Sequence, residues 1–328
     1  MGSRRHRSPT RARSAIRRRS SHPAEASMSA RWAAVVVNYE SGDLLARSVA
    51  SLLDDTSAGE PEVVIVDNGS SDGSVARLRA ARPDVKVITA PRNRGYAAAA
   101  NTGIAATTAP IVAVCNCDIK VDPGAAAAMT ARFDREPDLG ALGPSIFNVD
   151  GSRYPSARAI PRLRDAVGHG VFGLAKPDNR FTRRYRELDA DPALARDVGF
   201  VSGAAVWLRR RALDDVAGWD DGYFMYVEDV DLCWRLRQTG WRIAYEPSAR
   251  VEHVQGASTA RRPYRMLLEH HRSLLRFAGK RWRGWRRLLL VPAAGFLAAR
   301  FVLAAGAEAV TSLVRRRSPR SGIPRPTG

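Results

Sequence analysis

The chain has 328 residues, of which 45% are hydrophobic and 26% charged, and its formal net charge is +19. A chain of this length can bury one large α/β core or two small ones. Its three cysteines, Cys115, Cys117 and Cys233, are odd in number and lack metal-ligand spacing. They therefore argue against a disulfide framework and indicate a reducing compartment.

The positive charge is concentrated at the two ends of the chain. Residues 1–27 hold eight Arg against one Glu, and residues 261–328 hold sixteen Lys and Arg against two Glu. The segment between them is close to neutral. Because basic ends flank a neutral body, we expect the partner to be a polyanionic surface, either nucleic acid or anionic lipid headgroups.

Residues 1–30 are predicted to be a disordered basic extension. They are rich in Arg, Ser, Pro and Ala and show no apolar period. The absence of an apolar h-region argues against a secretory signal. Met28 stands just before the first strand-like run, so it is an alternative to Met1 as the start of translation.

Short β-branched runs then alternate with helical stretches. A helix is predicted over 44–53, and strands are predicted over 33–37, 62–66, 85–89 and 111–114. This alternation predicts a mostly parallel, doubly wound sheet, whose ligands collect at the carboxyl ends of the strands. A GxGxxG turn and a Walker A loop are both absent from the sequence, so the nucleotide is not expected to be held as in dehydrogenases or P-loop enzymes.

The run YFMYVEDVDLCWR at 223–235 places three acids, Glu228, Asp229 and Asp231, directly behind a cluster of aromatic and sulfur side chains. Helical spacing continues from the acids to a glycine, so they stand at the start of a helix, where the helix dipole favours their ionised forms. Clustered carboxylates beside an apolar run are costly unless they face a metal, a partner charge or a substrate hydroxyl. The alternative is an ordinary set of capping acids, with Asp231 and Arg235 as an i,i+4 pair.

Residues 261–328 are predicted to form a basic helical region. Two tryptophans lie among four arginines ahead of an apolar segment at 288–314, whose longest uncharged run of 12 residues is too short to span a bilayer. The segment is interrupted by Pro292, Arg300 and Glu308. This pattern predicts an amphipathic helix in the headgroup region. The alternatives are a C-terminal helix docked on the body, and nucleic-acid binding, which is not expected because no nucleic-acid-binding motif accompanies the charge.

Several motifs in chain order resemble the GT-A fold of family 2 glycosyltransferases. They read VVVNYESGDLLARSVASL, VVIVDNGSSDGS, NRGYAAAANTGI, VAVCNCDIKVDPGA, VSGAAVWLRRRAL and GWDDGYFMYVEDVDLCWRLRQTGWRIAYEPSARVEH. The run ALGPSIFNVDGSRYPSARAIPRL at 141–163 and the His270-His271 pair resemble the actinobacterial rhamnosyltransferases that act on N-acetylglucosaminyl-diphospho-decaprenol. The resemblance implies a GT-A nucleotide-sugar-binding domain over 31–260. The region 261–328, which follows it, is the one whose composition predicts association with a membrane.

The resemblance implies an inverting, metal-dependent transfer of a sugar. The implied donor is dTDP-L-rhamnose and the implied acceptor is polyprenyl-diphosphate-linked GlcNAc, used in cell-wall synthesis by a peripheral protein on the cytoplasmic face of the plasma membrane. One alternative is a family 2 enzyme for another hexose or a polysaccharide acceptor. Another is an inactive GT-A domain serving as a membrane or nucleic-acid adaptor. A nucleotidyltransferase is disfavoured, because the chain lacks a Gly-rich, Arg-containing phosphate loop near its start.

The resemblance also assigns a metal site. It implies that Asp118 and His253 bind Mg²⁺ or Mn²⁺, which neutralises the charge that grows on the leaving diphosphate. The family's acid-x-acid signature reads Asn116-Cys117-Asp118 here. Because an amide replaces the first acid, we expect a lower metal affinity at an otherwise intact site.

For the nucleotide, Asp67 resembles the residue that reads base and ribose at the end of the second strand. The alternative is an Asx turn that opens the following Asn68-Gly69. Gly95 is expected to allow close backbone approach beside the diphosphate. The other donor contacts that the resemblance implies are Asn38, Tyr39, Arg92, Asn93 and Asn116.

For catalysis, Asp229 is the candidate general base. Direct displacement with inversion needs one carboxylate within hydrogen-bond reach of the attacking hydroxyl. Glu228 is expected to orient Asp229 or to bind the acceptor sugar, and Asp231 to pair with Arg235. The small residues at 203–205 are expected to leave room for the acceptor beneath the base.

Overall fold

The computed structural model describes residues 30–161, 178–254 and 263–317, together with the single positions Gly2, Asp165, Gly168, Val171 and Lys176. Most of the extension predicted for 1–30 lies outside the described residues. The same holds for the predicted domain boundary at 260/261. Both remain predictions.

Strands and helices alternate through the first half of the chain, as the sequence predicts. The strands are β1 (Trp32–Asn38), β2 (Glu62–Asp67), β3 (Lys86–Thr89), β4 (Ile111–Asn116), β5 (Ile119–Val121), β6 (Leu139–Phe147), β7 (Arg153–Tyr154), β8 (Ala157–Arg158), β9 (Arg196–Asp197), β10 (Phe200–Val201), β11 (Ala205–Arg209) and β12 (Arg242–His253). The helices are α1 (Leu44–Asp54), α2 (Ser74–Ala81), α3 (Tyr96–Ala105), α4 (Ala125–Arg135), α5 (Arg180–Arg186), α6 (Arg210–Asp215), α7 (Glu228–Gln238), α8 (Pro263–Arg281), a 3₁₀ helix (Gly284–Leu289) and α9 (Leu290–Arg317).

The main sheet has the order β3-β2-β1-β4-β11-β6-β12-β5, and six of these eight strands run in one direction. Only β11 and β5 run against the others. Every residue of β1 is buried, because helices cover both faces of this central strand. One face packs on α1, α2 and α4, and the other packs on α3 and α7. The predicted α/β class with a mostly parallel sheet is confirmed.

The pairing register brings the polar strand ends together. Asn38 at the end of β1 pairs with Asp67 at the end of β2, and Val37 pairs with Asn116 at the end of β4. On the other side of the sheet, β5 runs antiparallel to β12, so His253 pairs with Ile119. This register places His253 next to Asp118, which precedes β5.

The C-terminal region begins with a helix that is attached to the body. Phe277 of α8 is buried and meets the Trp234 ring edge-on, with ring centroids 5.9 Å apart. The Ser273 hydroxyl donates to the backbone oxygen of Met225 at 2.9 Å. Lys280 reaches the fully buried Asp231 at 2.5 Å, where Arg235 also donates at 2.7 Å. The predicted Asp231–Arg235 pair is therefore present, and α8 packs directly against the segment that carries the acids.

The 3₁₀ helix and α9 follow α8, and α9 packs back against it. The Phe301 ring meets the His271 ring edge-on at 6.3 Å, and an Arg300 nitrogen lies 3.3 Å from His271 Nε2. Among the described residues, no helix combines the length and apolar character needed to cross a membrane. The predicted helical region is thus present, with Pro292 in the first turn of α9, where a proline leaves no hydrogen bond unmade.

Candidate active site

A cleft of about 410 Å³ opens at the carboxyl ends of the central strands. Its lining includes the predicted residues Tyr39, Asn93, Gly95, Asn116, Asp118 and His253. Its opposite wall is the segment 224–226, which immediately precedes the acids of α7. Val37 and His253, which are 216 positions apart in the chain, therefore share one concave surface, which is the usual location of a ligand in an open α/β sheet.

Asp118 and His253 contact each other in this cleft. His253 Nε2 lies 3.0 Å from Asp118 Oδ1 and 3.2 Å from Asn116 Nδ2. Both Asp118 and His253 are 8% exposed. An Nε2 that carries a proton donates to Asp118, whereas an unprotonated Nε2 accepts from Asn116. A cation at Nε2 would bind through that same lone pair and would replace the Asn116 hydrogen bond.

These side chains fit a divalent cation. Two neighbouring ligands of an octahedral ion, each about 2.1 Å from it, lie about 3.0 Å apart, and this matches the distance from Asp118 Oδ1 to His253 Nε2. No group of three or more His, Cys, Asp or Glu side chains suited to a metal occurs in the described part of the chain. The protein would therefore supply only two strong ligands, which leaves the other positions for substrate oxygens and water.

The predicted nucleotide residues lie side by side but differ in accessibility. Asn38 and Asp67 are 0% and 2% exposed, and Asn38 Nδ2 donates to Asp67 Oδ1 at 2.9 Å. Asp67 also accepts from the backbone N–H and the hydroxyl of Ser70, which is the Asx-turn geometry of the alternative interpretation. Tyr39 and Asn93 line the cleft directly, while the Arg92 side chain is exposed outside it.

The structure gives Gly95 a different close neighbour from the one expected. Gly95 has φ +93°, and a Cβ atom there would lie 2.5 Å from the backbone oxygen of Phe224. The N–H of Tyr96 donates to that same oxygen at 3.0 Å. A glycine is therefore required because any side chain at position 95 would overlap the Phe224 backbone in the cleft wall. This requirement does not depend on a bound diphosphate.

The sequence interpretation missed the role of Asn68. Its amide donates to the backbone oxygen of Gly95 at 2.9 Å, and its carbonyl accepts from the N–H of Arg94 at 3.0 Å. Asn68 thereby joins the turn after β2 to the turn before α3, and these two turns form one wall of the cleft. The Asn-Gly pair was a turn signal, but nothing in the local sequence indicated this cross-link.

The two candidate catalytic acids lie beside the cleft at the start of α7. Asp229 is half-buried, its Oδ2 accepts from the N–H of Gly203 at 3.0 Å, and its Oδ1 accepts from the N–H of Val230 at 2.8 Å. Glu228 is 7% exposed, and its Oε2 has no hydrogen-bond partner among the described residues. The hydroxyl of Tyr96, which lines the cleft, donates to the oxygen of Gly203. Tyr96 and Gly203 therefore connect Asp229 to the cleft.

The backbone leading into these acids is strained. Tyr226 and Val227 have φ of +66° and +68°, a region that side chains rarely adopt and that is especially unfavourable for β-branched valine. Such strain costs on the order of 1–3 kcal/mol per residue and persists where the surroundings fix the chain. Here the fixed contacts are those of Phe224 with Tyr96 and of Met225 with Ser273.

Burial changes the protonation of the acids. It raises the pKa of Glu228 to about 8, with a further contribution from the neighbouring charge of Asp229. It also raises the pKa of Asp229, against the opposing effects of the Gly203 hydrogen bond and the Arg158 charge. The expectation that the helix dipole keeps these acids ionised is therefore wrong for Glu228 at pH 7, because desolvation outweighs the dipole.

This protonation predicts a pH-dependent effect of Glu228→Gln on stability. Between the ordinary pKa of 4.5 and about 8, folded Glu228 keeps a proton that the unfolded chain has lost, so stability falls as pH rises through this window. Glutamine does not titrate, so the variant does not lose stability in this way as pH rises. We expect the free energy of unfolding of the variant to exceed that of wild type by roughly 2 kcal/mol or more at pH 8, and by little at pH 5. Chemical denaturation at both pH values measures the difference. Glu60→Gln, at an exposed glutamate, should show no such trend.

Arg158 is a second residue that the sequence interpretation did not single out. Its guanidinium donates to the Tyr154 hydroxyl and to the Pro155 backbone oxygen, each at 2.7 Å. It also lies over the rings of Tyr154 and Phe200 at 5.2 and 5.9 Å. Its charge opposes the rise in the pKa of Asp229. Arg158 lies in the run at 141–163 that resembles the rhamnosyltransferases. The resemblance therefore pointed to this segment but did not indicate which of its side chains contributes to the site.

Comparison with known proteins identifies the family. The model of "Glycosyl transferase family 2" matches residues 33–217, and that of "Glycosyl transferase family group 2" matches residues 178–310. An N-acetylglucosaminyl-diphospho-decaprenol L-rhamnosyltransferase of Mycobacterium tuberculosis is 39% identical over 265 residues, which cover 77% of this chain and 85% of the relative. A pre-mycofactocin glycosyltransferase of the same species is 34% identical over 196 residues, which cover 58% of this chain and 37% of the relative.

Among solved structures, the crystal structure of GalNAc-T7 with UDP, GalNAc and Mn²⁺ is similar, with a TM-score of 0.50 and 16% sequence identity. The match covers 68% of this chain and 43% of that one. At this identity the likeness concerns the fold alone. Since a family model matches more than half of the chain, and a relative at 39% identity covers most of it, the protein belongs to glycosyl transferase family 2.

Proposed function

We propose that the protein transfers L-rhamnose from dTDP-rhamnose, with inversion, to a polyprenyl-diphosphate-linked GlcNAc in cell-wall synthesis. The observation that carries this proposal is the 39% identity to a decaprenol-linked GlcNAc rhamnosyltransferase over 77% of the chain. The cleft supports it, because Asp118 and His253 could hold a cation beside the leaving diphosphate and Asp229 is a separate carboxylate that could act as the base.

In the proposed reaction, Asp229 accepts the proton of the attacking sugar hydroxyl. The N–H groups of Gly203 and Val230 hold its two oxygens in place, so the carboxylate is oriented before the acceptor arrives. Arg158 helps to keep the base ionised, because its charge opposes the effect of burial on the pKa of Asp229. Glu228, neutral at pH 7, can donate a hydrogen bond to the acceptor sugar or to Asp229.

Asp118 and His253 would hold Mg²⁺ or Mn²⁺ in the cleft, with Asn116 beside them. The cation supplies positive charge next to the leaving diphosphate. Tyr39, Asn93 and Gly95 line the same cleft and would contact the donor. Asn38 and Asp67 lie behind this wall and would support it or reach the base and ribose of the nucleotide.

We also propose that the protein works as a peripheral protein on the cytoplasmic face of the plasma membrane. A lipid-linked acceptor keeps its sugar at the bilayer surface, so the cleft must be held there. Cys115, Cys117 and Cys233 are free and buried, in keeping with a reducing compartment. Another hexose or another acceptor is the alternative, since the pre-mycofactocin glycosyltransferase matches over a shorter stretch.

A transfer assay with the full-length protein tests the proposal. The acceptor is polyprenyl-diphospho-GlcNAc in detergent, and the donors are dTDP-rhamnose, UDP-GlcNAc, UDP-glucose and GDP-mannose, each with Mg²⁺ or Mn²⁺. We expect a rhamnosylated lipid from the dTDP donor alone. Transfer from a UDP- or GDP-sugar instead would overturn the donor assignment. Donor hydrolysis without any lipid product would overturn the acceptor assignment.

A further inference from the structure

The 3₁₀ helix carries a row of exposed apolar side chains. A 3₁₀ helix has three residues per turn, so side chains at i and i+3 lie above one another. Trp285 and Leu288 form such a row, which Val291 continues at the start of α9, and these three residues are 70%, 75% and 77% exposed. The surface of a soluble protein rarely carries large apolar side chains in a contiguous row. The row therefore indicates a surface that binds another protein or a membrane.

The same apolar surface continues along α9. Val291, Gly295, Ala298 and Val302 are exposed at a spacing of four, three and four residues, which places them on one face of the helix. No exposed position from 291 to 303 carries a charge, whereas Arg300 on this stretch is half-buried against α8. This arrangement is the reverse of a surface helix in a soluble protein, whose exposed face is polar.

A basic groove lies beside the apolar row. It is an open groove of about 750 Å³ between the end of α8 and the 3₁₀ helix, lined by Arg276, Gly279, Lys280, Arg283, Gly284 and Arg287. The charges on its two sides differ in how they are neutralised. Arg276 and Lys280 each reach a carboxylate oxygen of Asp220 at 2.8 Å. The guanidinium groups of Arg283 and Arg287 have no hydrogen-bond or ion-pair partner among the described residues.

We infer that this groove binds the phosphate of an anionic phospholipid headgroup while Trp285, Leu288 and Val291 enter the bilayer surface beside it. The two unpaired arginines supply the complementary charge, and Arg286, stacked on Trp285 with its guanidinium 6.0 Å from the ring, adds a third at headgroup depth. A second copy of this chain fits the groove less well than a phospholipid. In a symmetric dimer the arginines of one copy would face those of the other and repel them.

The docking surface also sets the orientation of the active site. Asp220, which holds one side of the groove, precedes the cleft wall, and Lys280 continues to the buried Asp231 of α7 at 2.5 Å. The groove is therefore tied by ion pairs to the segment 220–231 that carries Asp229. A headgroup bound there fixes the height of the cleft above the bilayer, where the sugar of a lipid-linked acceptor lies. This last step rests on the proposed function, whereas the docking surface itself does not.

The test is vesicle co-sedimentation of the full-length protein without donor or acceptor. The vesicles are phosphatidylcholine alone, phosphatidylcholine with phosphatidylglycerol, and phosphatidylcholine with a trace of polyprenyl diphosphate. The groove variant is Arg283→Gln with Arg287→Gln, and the apolar variant is Trp285→Ser with Leu288→Ser. The matched control is Arg47→Gln with Arg135→Gln, which removes the same charge from exposed positions on α1 and α4, on the opposite face of the sheet.

We expect wild type to prefer the phosphatidylglycerol vesicles, and the groove variant to lose roughly 30-fold in partition coefficient on them. The apolar variant should lose binding to the anionic and the neutral vesicles alike, and the control should match wild type. Brominated lipids should quench the fluorescence of wild type more than that of Trp285→Phe, since only an inserted ring meets the bromine atoms.

Three results would overturn the inference. The groove variant could bind phosphatidylglycerol vesicles as tightly as wild type, or binding could require the polyprenyl diphosphate. The third is a concentration-dependent dimer, seen by sedimentation, that the apolar variant abolishes while vesicle binding is unchanged. Because the transfer assay uses acceptor in detergent, the enzymatic proposal can stand when the docking proposal fails, and the reverse also holds.

Discussion

Replacement of Asp229 with asparagine is expected to lower the rate of glycosyl transfer by about 10²–10⁴-fold while donor binding is retained. The amide cannot accept the proton of the attacking hydroxyl. It also keeps one acceptor oxygen where the carboxylate receives two N–H groups, from Gly203 and Val230, so a small loss of stability is expected as well. Single-turnover kinetics at saturating donor, together with a nucleotide titration, separate the two effects.

Two comparisons decide whether Asp229 is the base. Glu228→Gln removes the neighbouring acid, whose Oε2 has no partner among the described residues, and should reduce transfer much less than Asp229→Asn. The wild-type rate should rise with pH as Asp229 ionises, and Asp229→Asn should lose that dependence. A variant at Asp229 with wild-type turnover would make Glu228 the candidate base.

The strand ends could be predicted from sequence because two simple rules act together. Buried parallel strands are continuous β-branched runs, and their polar residues begin where the strand ends. The predicted strand 33–37 is β1 (Trp32–Asn38), and 62–66 is β2 (Glu62–Asp67). Helix α7 begins at Glu228, as the acids indicated. The positions of Asn38 and Asp67 followed from these rules without any knowledge of side-chain contacts, whereas Asn116 was assigned by the family resemblance.

Contacts between distant segments could not be predicted in this way. The close contact of Phe224 with Gly95 and the hydrogen bonds by which Asn68 joins two turns both depend on how the loops pack against each other. No local sequence pattern encodes that packing. The raised pKa of Glu228 depends on how deeply the helix start is buried, and the dipole rule alone gave the wrong direction. In the C-terminal helices, composition predicted a basic amphipathic element, but only the structure shows that the exposed face of residues 291–303 is the apolar one.

The proposed metal site is the second place where a single substitution should have a large effect. Asp118 carries the only carboxylate among the described residues that line the cleft. Asp118→Ala therefore leaves the His253 imidazole and the Asn116 amide as the polar groups at this place. Because Mg²⁺ and Mn²⁺ prefer charged oxygen ligands, we expect Mn²⁺ affinity in the presence of nucleoside diphosphate to fall at least about 10–100-fold. Calorimetric titration, or the paramagnetic signal of free Mn²⁺, measures this without relying on turnover.

Two further variants show whether the effect belongs to this site. Asp122→Ala removes an equal charge four residues away, where the side chain is 40% exposed and pairs with Arg250, and it should leave Mn²⁺ affinity unchanged. Asn116→Asp restores the acid-x-acid pattern and should raise the affinity, because a second carboxylate would then face the cation. If Asp118→Ala and Asp122→Ala bind Mn²⁺ as wild type does, the cation is held elsewhere. Asp118 would then serve to orient His253 through its 3.0 Å contact.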